Sequence, residues 1–270
     1  MTALEKLRAA NRHGKYICVG LDTDPAKIPG FLSNEKNPVL EFNKRIIDAT
    51  KDLAAAYKIN FAFYERDGYN GIRNLKDSLS FIPENLLTIA DAKRGDIGNT
   101  ASMYAKSVFE FFGVDSVTVN PYMGGDSVQP FLASVDKLVF MLALTSNPGS
   151  ADFEKLKLND GSMVYQKVIK KVNEWNVNEN CGIVFGATQS DELRTNMTAI
   201  KNLPVLLPGI GAQGGSLKDV VKIFMEAGRD DFLVNVSRGI LYKSNGEDFA
   251  DAAREELEKL NNQIKVIKEV

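Results

Sequence analysis

The chain has 270 residues, 44% apolar and 25% charged, enough to bury a full core as one large domain or two small ones. A formal net charge of −2 and the lack of a long basic run argue against a nucleic-acid surface. The longest apolar stretches are strand-length, so no membrane span is expected, and Cys18 and Cys181, each inside an apolar run, read as buried thiols of a cytoplasmic protein rather than a disulfide framework.

Met1-Thr-Ala-Leu-Glu-Lys-Leu-Arg reads as a short amphipathic helix on the surface, without the apolar core of a signal peptide. His13, the only histidine, falls on it, away from any site. Eight apolar runs then recur, each ending in polar or Gly-rich sequence: Tyr16–Asp22, Ala55–Phe63, Leu87–Lys93, Ser116–Asn120, Lys137–Thr145, Cys181–Ala187, Pro204–Ile210 and Asp231–Ser237. Most are continuous rather than alternating, as expected where both faces of a parallel strand are covered. Helical spacing fills the gaps, as in Phe42, Ile46, Ala49 and Leu53, and again in Leu257, Leu260, Ile264 and Ile267. Strand–helix alternation gives a parallel sheet, and eight units in about 250 residues fit a closed (β/α)8 TIM barrel. Residues 1–270 are expected to form this single domain, with the N-terminal helix as an extra; an open doubly wound sheet is the rival.

Two connections exceed ordinary loop length, Thr23–Pro38 and Ser146–Gly161. Each reads either as surface decoration or as a lid over the C-terminal mouth, where barrel active sites lie, and the lid reading suits the second better. Trp175, Phe111 and Phe112 lie in helical segments and read as core, while the charge-rich C-terminal helix reads as a solvated outer face.

Polar residues collect at the strand ends: Asp22, Lys58 and Asn60, Asp91 and Lys93, Asn120, Thr145, Ser237 and Arg238. Side chains two apart share a strand face, so Asp91 pairs in direction with Lys93, and Lys58 with Asn60. A barrel converges these on one volume, where alternating opposite charges keep each other ionised. Any one of them alone would pass as a structural ion pair; the joint pattern across strands points to a catalytic site. A separate phosphate signal follows the seventh and eighth runs, in Pro208-Gly209-Ile-Gly211-Ala-Gln213-Gly214-Gly215 before a helix near Ser216, and in Ser237-Arg238-Gly239. Free N–H groups at a helix start favour an anion, and Arg238 would add a bidentate clamp. Gly209–Gly214 also fits G-x-G-x-x-G, but late in the chain and without an acid ending the next strand, so a dinucleotide is not expected. With no His or Cys cluster a transition metal has little support, and the interleaved lysines argue against Mg²⁺ on Asp91 and Asp96.

Asp91-Ala-Lys93-Arg-Gly-Asp96-Ile-Gly-Asn-Thr100 resembles the signature of the orotidine 5′-phosphate decarboxylases. The likeness runs through nearly the whole chain, in Gly20-Leu-Asp22, Lys58-Ile-Asn60, Asn120-Pro-Tyr-Met-Gly124, Thr145-Ser146-Asn-Pro148, the Pro208–Gly215 loop and Ser237-Arg238-Gly239, and is nearest to the family's longer bacterial and protozoan branch. It implies cofactor-free, metal-free decarboxylation of orotidine 5′-monophosphate to uridine 5′-monophosphate, with Lys58, Asp91, Lys93 and Asp96 as the charged tetrad and Lys93 as proton donor. It further implies a homodimer in which Asp96 and Thr100 come from the neighbouring subunit. Asp22 and Asn60 would meet the ribose, Thr145 and Ser146 the pyrimidine, and Gln213 and Arg238 the phosphate, with Asn120, Pro208 and Gly211 also against substrate. Two alternatives stay open: a Mg²⁺-dependent sugar-phosphate decarboxylase or aldolase of the same suprafamily, in which an acid stands at the place of Lys58, and a non-catalytic nucleotide-binding barrel.

Overall fold

Eight parallel strands pair in chain order, and the last pairs with the first: β1 (Ile17–Gly20), β2 (Ala56–Asn60), β3 (Leu87–Arg94), β4 (Ser116–Val119), β5 (Leu138–Leu144), β6 (Cys181–Phe185), β7 (Val205–Leu207) and β8 (Phe232–Val236). The computed structural model describes residues 1–211 and 214–269. The barrel expected from the eight runs is therefore present, and the open sheet is not. The seventh run gives the shortest strand, because Pro204 and Pro208 lack the N–H a ladder needs and bracket a three-residue strand.

Continuous apolar runs follow from burial on both faces. Val117, Val119, Ile183, Val205 and Val234 point outward into a layer under the helices, while Cys18, Ala56, Leu87, Ile89, Leu138, Phe140, Val184, Leu206 and Leu233 fill the interior. Gly182 makes room there: a Cβ on it would lie 2.6 Å from the Phe140 ring. On the outside, the C-terminal helix Phe249–Lys268 buries Leu257, Leu260 and Ile264. It closes against the helix Pro38–Thr50 through Phe42 and Phe249, whose rings stack at 5.0 Å.

The N-terminal helix Ala3–Arg12 is amphipathic as expected, with Glu5, Arg8 and Arg12 exposed, but its apolar face reaches into the barrel. Ala3, Leu7 and Asn11, spaced four apart on one face, are buried, and the first two join the interior cluster. This face packs on Leu87, Leu138 and Leu233 at the N-terminal end of the barrel and plugs it. A capping box between Thr2 and Glu5 starts the helix, and Lys6 pairs with Asp115 at 2.7 Å. Leu7 is fully buried, so Leu7→Ala is expected to cost about 2–4 kcal/mol, read as a lower urea midpoint at unchanged slope. A loss below about 0.5 kcal/mol would mean the plug is dispensable.

Phe111 also departs from the core reading. It is 51% exposed, with the Lys76 ammonium 4.0 Å from its ring centroid, whereas Phe112 packs edge-on against buried Phe61. Trp175 is partly buried against the core. Cys18 and Cys181 are free and buried, as expected.

Candidate active site

At the C-terminal mouth lies a cavity of ≈ 320 Å³. β1, β2 and β3 bring their terminal charges into its floor, because the parallel register sets Gly20 beside Lys58, and Asn60 beside Asp91. Lys58 Nζ lies 3.2 Å from Asp22 Oδ1 and 2.9 Å from Asp91 Oδ2. Lys93 Nζ lies 2.6 Å from Asp91 Oδ1. Charges thus alternate Asp22, Lys58, Asp91, Lys93 across the floor. Their exposure differs: the Lys58 side chain is 4% exposed and Asp91 11%, but Lys93 48%. The outermost cation is the one a bound molecule meets.

Burial works against the charged form of Lys58, but Asp22 and Asp91 together outweigh it and hold its pKa above the usual ammonium value. Burial likewise works against the Asp91 carboxylate, yet Lys58 and then Lys93 pull it well below the usual carboxylate range. One layer deeper, burial pushes the Cys18 thiol up to about 12, so it remains a neutral wall atom. The signs define a stability window. Asp91 contributes stability above its unfolded value near ~3.9, lost as pH falls through the native value; Lys58 contributes below its unfolded value near ~10.4, lost as pH rises through the native one.

Lys58→Met removes the cation between two carboxylates and is expected to cost about 3–5 kcal/mol near neutral pH. The deficit should shrink toward about pH 4.5, as protonation of Asp91 in the variant relieves the repulsion. Urea titrations at the two pH values check this, and a deficit that grows on acidification would count against it.

Two backbone features shape the floor. Gly20 is required by close approach, since a Cβ there would come within 1.9 Å of Ser237 Oγ, which donates to Asp22 Oδ2 at 2.8 Å. Lys93 has φ +46°, a left-handed conformation that costs a non-glycine residue roughly 1–2 kcal/mol. It falls where the β3–β4 register breaks between Ala90 and Arg94.

Of the residues singled out in the sequence, Asp22, Lys58, Asn60, Asp91, Lys93, Thr145, Ser146, Pro208 and Arg238 line this one cavity. Four others do not. Asn120 accepts the Tyr122 N–H at 3.0 Å and caps the turn Pro121–Met123. Gly211 lies beyond the wall formed by Pro208, Gly209 and Ile210. Asp96 accepts the N–H of Ile97 at 2.8 Å, and Thr100 is exposed on the helix Gly98–Lys106; neither reaches the cavity of its own chain. Gln213 lies outside the described residues. Of the two long connections, the start of Ser146–Gly161 borders the cavity through Ser146 and Asn147, while Thr23 turns inward to donate to buried Asn43 at 2.6 Å.

Several wall residues went unread in the sequence. Leu142, Val184, Leu206 and Ile210 form an apolar side opposite the charges. Nothing in a continuous apolar run tells a mouth residue from a core one. Thr118 and Asn235 line the cavity too, and their inward parity two residues before Asn120 and Ser237 was a usable signal. Glu154 accepts the Thr145 N–H at 2.7 Å and its hydroxyl at 2.9 Å, a contact no local pattern reveals.

A polar floor of alternating charge, an apolar wall and a glycine-rich rim ending in Arg238 suit an anionic, phosphorylated molecule with a planar apolar part. Residues 15–253 match the model of the Orotidine 5′-phosphate decarboxylase / HUMPS family. The orotidine 5′-phosphate decarboxylase of Dehalococcoides mccartyi (strain CBDB1) is 46% identical over 268 residues, 98% of this chain and 97% of that protein. The structure of Leishmania donovani OMP decarboxylase superposes with a TM-score of 0.84 at 37% identity, covering 98% of this chain and 100% of that one. Leishmania donovani UMP synthase matches with a TM-score of 0.86 at 38% identity, but this chain spans only 57% of it.

Proposed function

This chain belongs to the orotidine 5′-phosphate decarboxylase family, and we propose that the floor of alternating charge, with Lys93 outermost, carries out the family's reaction without metal or cofactor. The enzyme decarboxylates orotidine 5′-monophosphate to uridine 5′-monophosphate, a step of pyrimidine nucleotide synthesis. The family model also covers the HUMPS branch; the near-full-length relatives and Lys58, which stands in place of a metal-binding acid, favour the decarboxylase.

The C6–CO2 bond breaks and its electron pair stays on C6, with no adjacent carbonyl to delocalise it. Lys93 Nζ, already oriented by Asp91, faces that charge without reorganisation and then gives C6 a proton. The resulting amine recovers a proton from solvent. Asp91 fixes Lys93 and lies against the departing carboxylate; Lys58 keeps Asp91 ionised. Thr145 and Ser146 meet the pyrimidine, Asp22 and Asn60 the ribose, and Gln213 and Arg238 the phosphate, with Pro208 against the substrate beside them. Phosphate binding supplies remote binding energy to draw the Ser146–Gly161 segment over the mouth.

The active form is a homodimer in which Asp96 and Thr100 serve the neighbour's cavity. Neither lines its own cavity, and Ile97 and Met103 on the same stretch of chain are large apolar side chains left exposed, of the kind an interface covers. The reading places the enzyme in the cytoplasm, in keeping with its two free, buried thiols. The observation carrying the whole is the Asp22–Lys58–Asp91–Lys93 chain of contacts at the mouth.

The direct test follows the loss of orotidine 5′-monophosphate absorbance with and without EDTA. Rapid conversion indifferent to EDTA supports the reading; no conversion, or activity only with added Mg²⁺, would shift it to the sugar-phosphate relatives.

A further inference from the structure

Where β3 and β4 lose register, the ladder resumes only after β3 has advanced from Ala90 to Arg94 while β4 has advanced from Val117 to Val119. Asp91, Ala92 and Lys93 therefore bulge from the sheet. The Lys93 N–H, which a regular ladder would hand to a neighbouring carbonyl, instead donates to the hydroxyl of Thr118 at 3.0 Å. That same oxygen lies 3.1 Å from Asp91 Oδ1. Both directions are forced by chemistry. A peptide N–H only donates, an ionised carboxylate only accepts, and the hydroxyl has one proton and two lone pairs. The Thr118 proton therefore points at Asp91, and its lone pair holds the Lys93 peptide. Thr118 is 1% exposed, so no bulk water substitutes for either bond.

From this geometry we infer that Thr118 is a positioning residue for the decarboxylation: its hydroxyl holds Lys93 in its left-handed conformation and locks Asp91 against it, so that the ammonium is fixed over the reacting carbon. Asp91 Oδ1 thus has two partners, the Lys93 ammonium at 2.6 Å and the Thr118 hydroxyl, while Oδ2 takes Lys58 at 2.9 Å. Without the hydroxyl, the Lys93 N–H loses the partner that holds it and the backbone returns to φ below zero, moving the side chain that rides on it. Thr118 touches neither C6 nor the leaving group in this role, so the effect falls on positioning and not on affinity. The inference rests on Lys93 and Asp91 acting as proposed above.

Thr118→Val keeps shape and removes the hydroxyl; Thr118→Ser keeps the hydroxyl. A misplacement of about 1 Å at a reacting group can cost on the order of 10²-fold, so Thr118→Val is expected to lower kcat roughly 10–100-fold with KM and uridine 5′-monophosphate affinity within about threefold. Thr118→Ser should restore kcat to within about threefold of wild type. A crystal structure of Thr118→Val gives a readout independent of activity: Lys93 is expected to leave the positive-φ region. If Thr118→Val does not fold, Thr118→Ala takes its place with the same expectations. Wild-type kcat in the valine variant, equal loss in the valine and serine variants, or Lys93 unmoved at positive φ would each overturn the inference. A wild-type enzyme inactive on orotidine 5′-monophosphate would instead overturn the functional reading, and the Lys93 conformation would still decide the structural half.

Discussion

Lys93→Ala is expected to lower turnover roughly 10⁴-fold or more, because it removes at once a fixed cation beside the carbanion and the acid that protonates it. Affinity for uridine 5′-monophosphate should stay within about tenfold, since the residues proposed to meet ribose, base and phosphate (Asp22, Asn60, Thr145, Ser146 and Arg238) lie elsewhere on the wall. The fold should tolerate the change. Lys93 is half exposed and alanine carries the same left-handed backbone strain that lysine does, so none is added, while Lys58 continues to neutralise Asp91. Single-turnover absorbance and calorimetric titration of the product measure the two halves. Turnover within about tenfold of wild type would remove Lys93 as proton donor.

Mixing two inactive variants, Asp96→Ala and Lys93→Ala, is expected to restore activity. In a two-fold dimer the mixed species carries one cavity with Lys93 intact and Asp96 supplied intact by the neighbour. The other cavity is doubly impaired. With random exchange half the dimers are mixed, so activity should approach about one quarter of wild type. Neither parent gains anything from mixing with itself. Absence of recovery, with exchange verified by mass spectrometry of differently labelled chains, would place Asp96 outside the neighbour's site.

Burial on both faces makes a parallel strand readable from the chain alone, which is why all eight runs correspond to strands in order. The charges could be placed near strand ends for the same reason: a run that stops abruptly in charge, as β3 does at Asp91 and Lys93, is leaving the packed interior. The N-terminal helix was readable as amphipathic, but its apolar face could equally have met solvent-side neighbours; only the barrel's open end determined that Ala3 and Leu7 turn inward. Phe111 shows the reverse error, an aromatic residue at helical spacing left half in solvent over the Lys76 ammonium.

Local chemistry along the chain thus determined the element order, the closed barrel as the best architecture, and the identity of the charged residues at its mouth. Side-chain period and continuous burial are properties of neighbours in sequence, and they need no knowledge of the rest of the molecule. The tertiary structure decided how those charges are wired. Asp91 meets Lys58 from one adjacent strand and Thr118 from the other, the register break bends Lys93 into a left-handed turn, and Asn120 is withdrawn to cap its own turn. Such contacts join residues 27 or 33 positions apart through register and closure, which no periodicity within a single segment encodes.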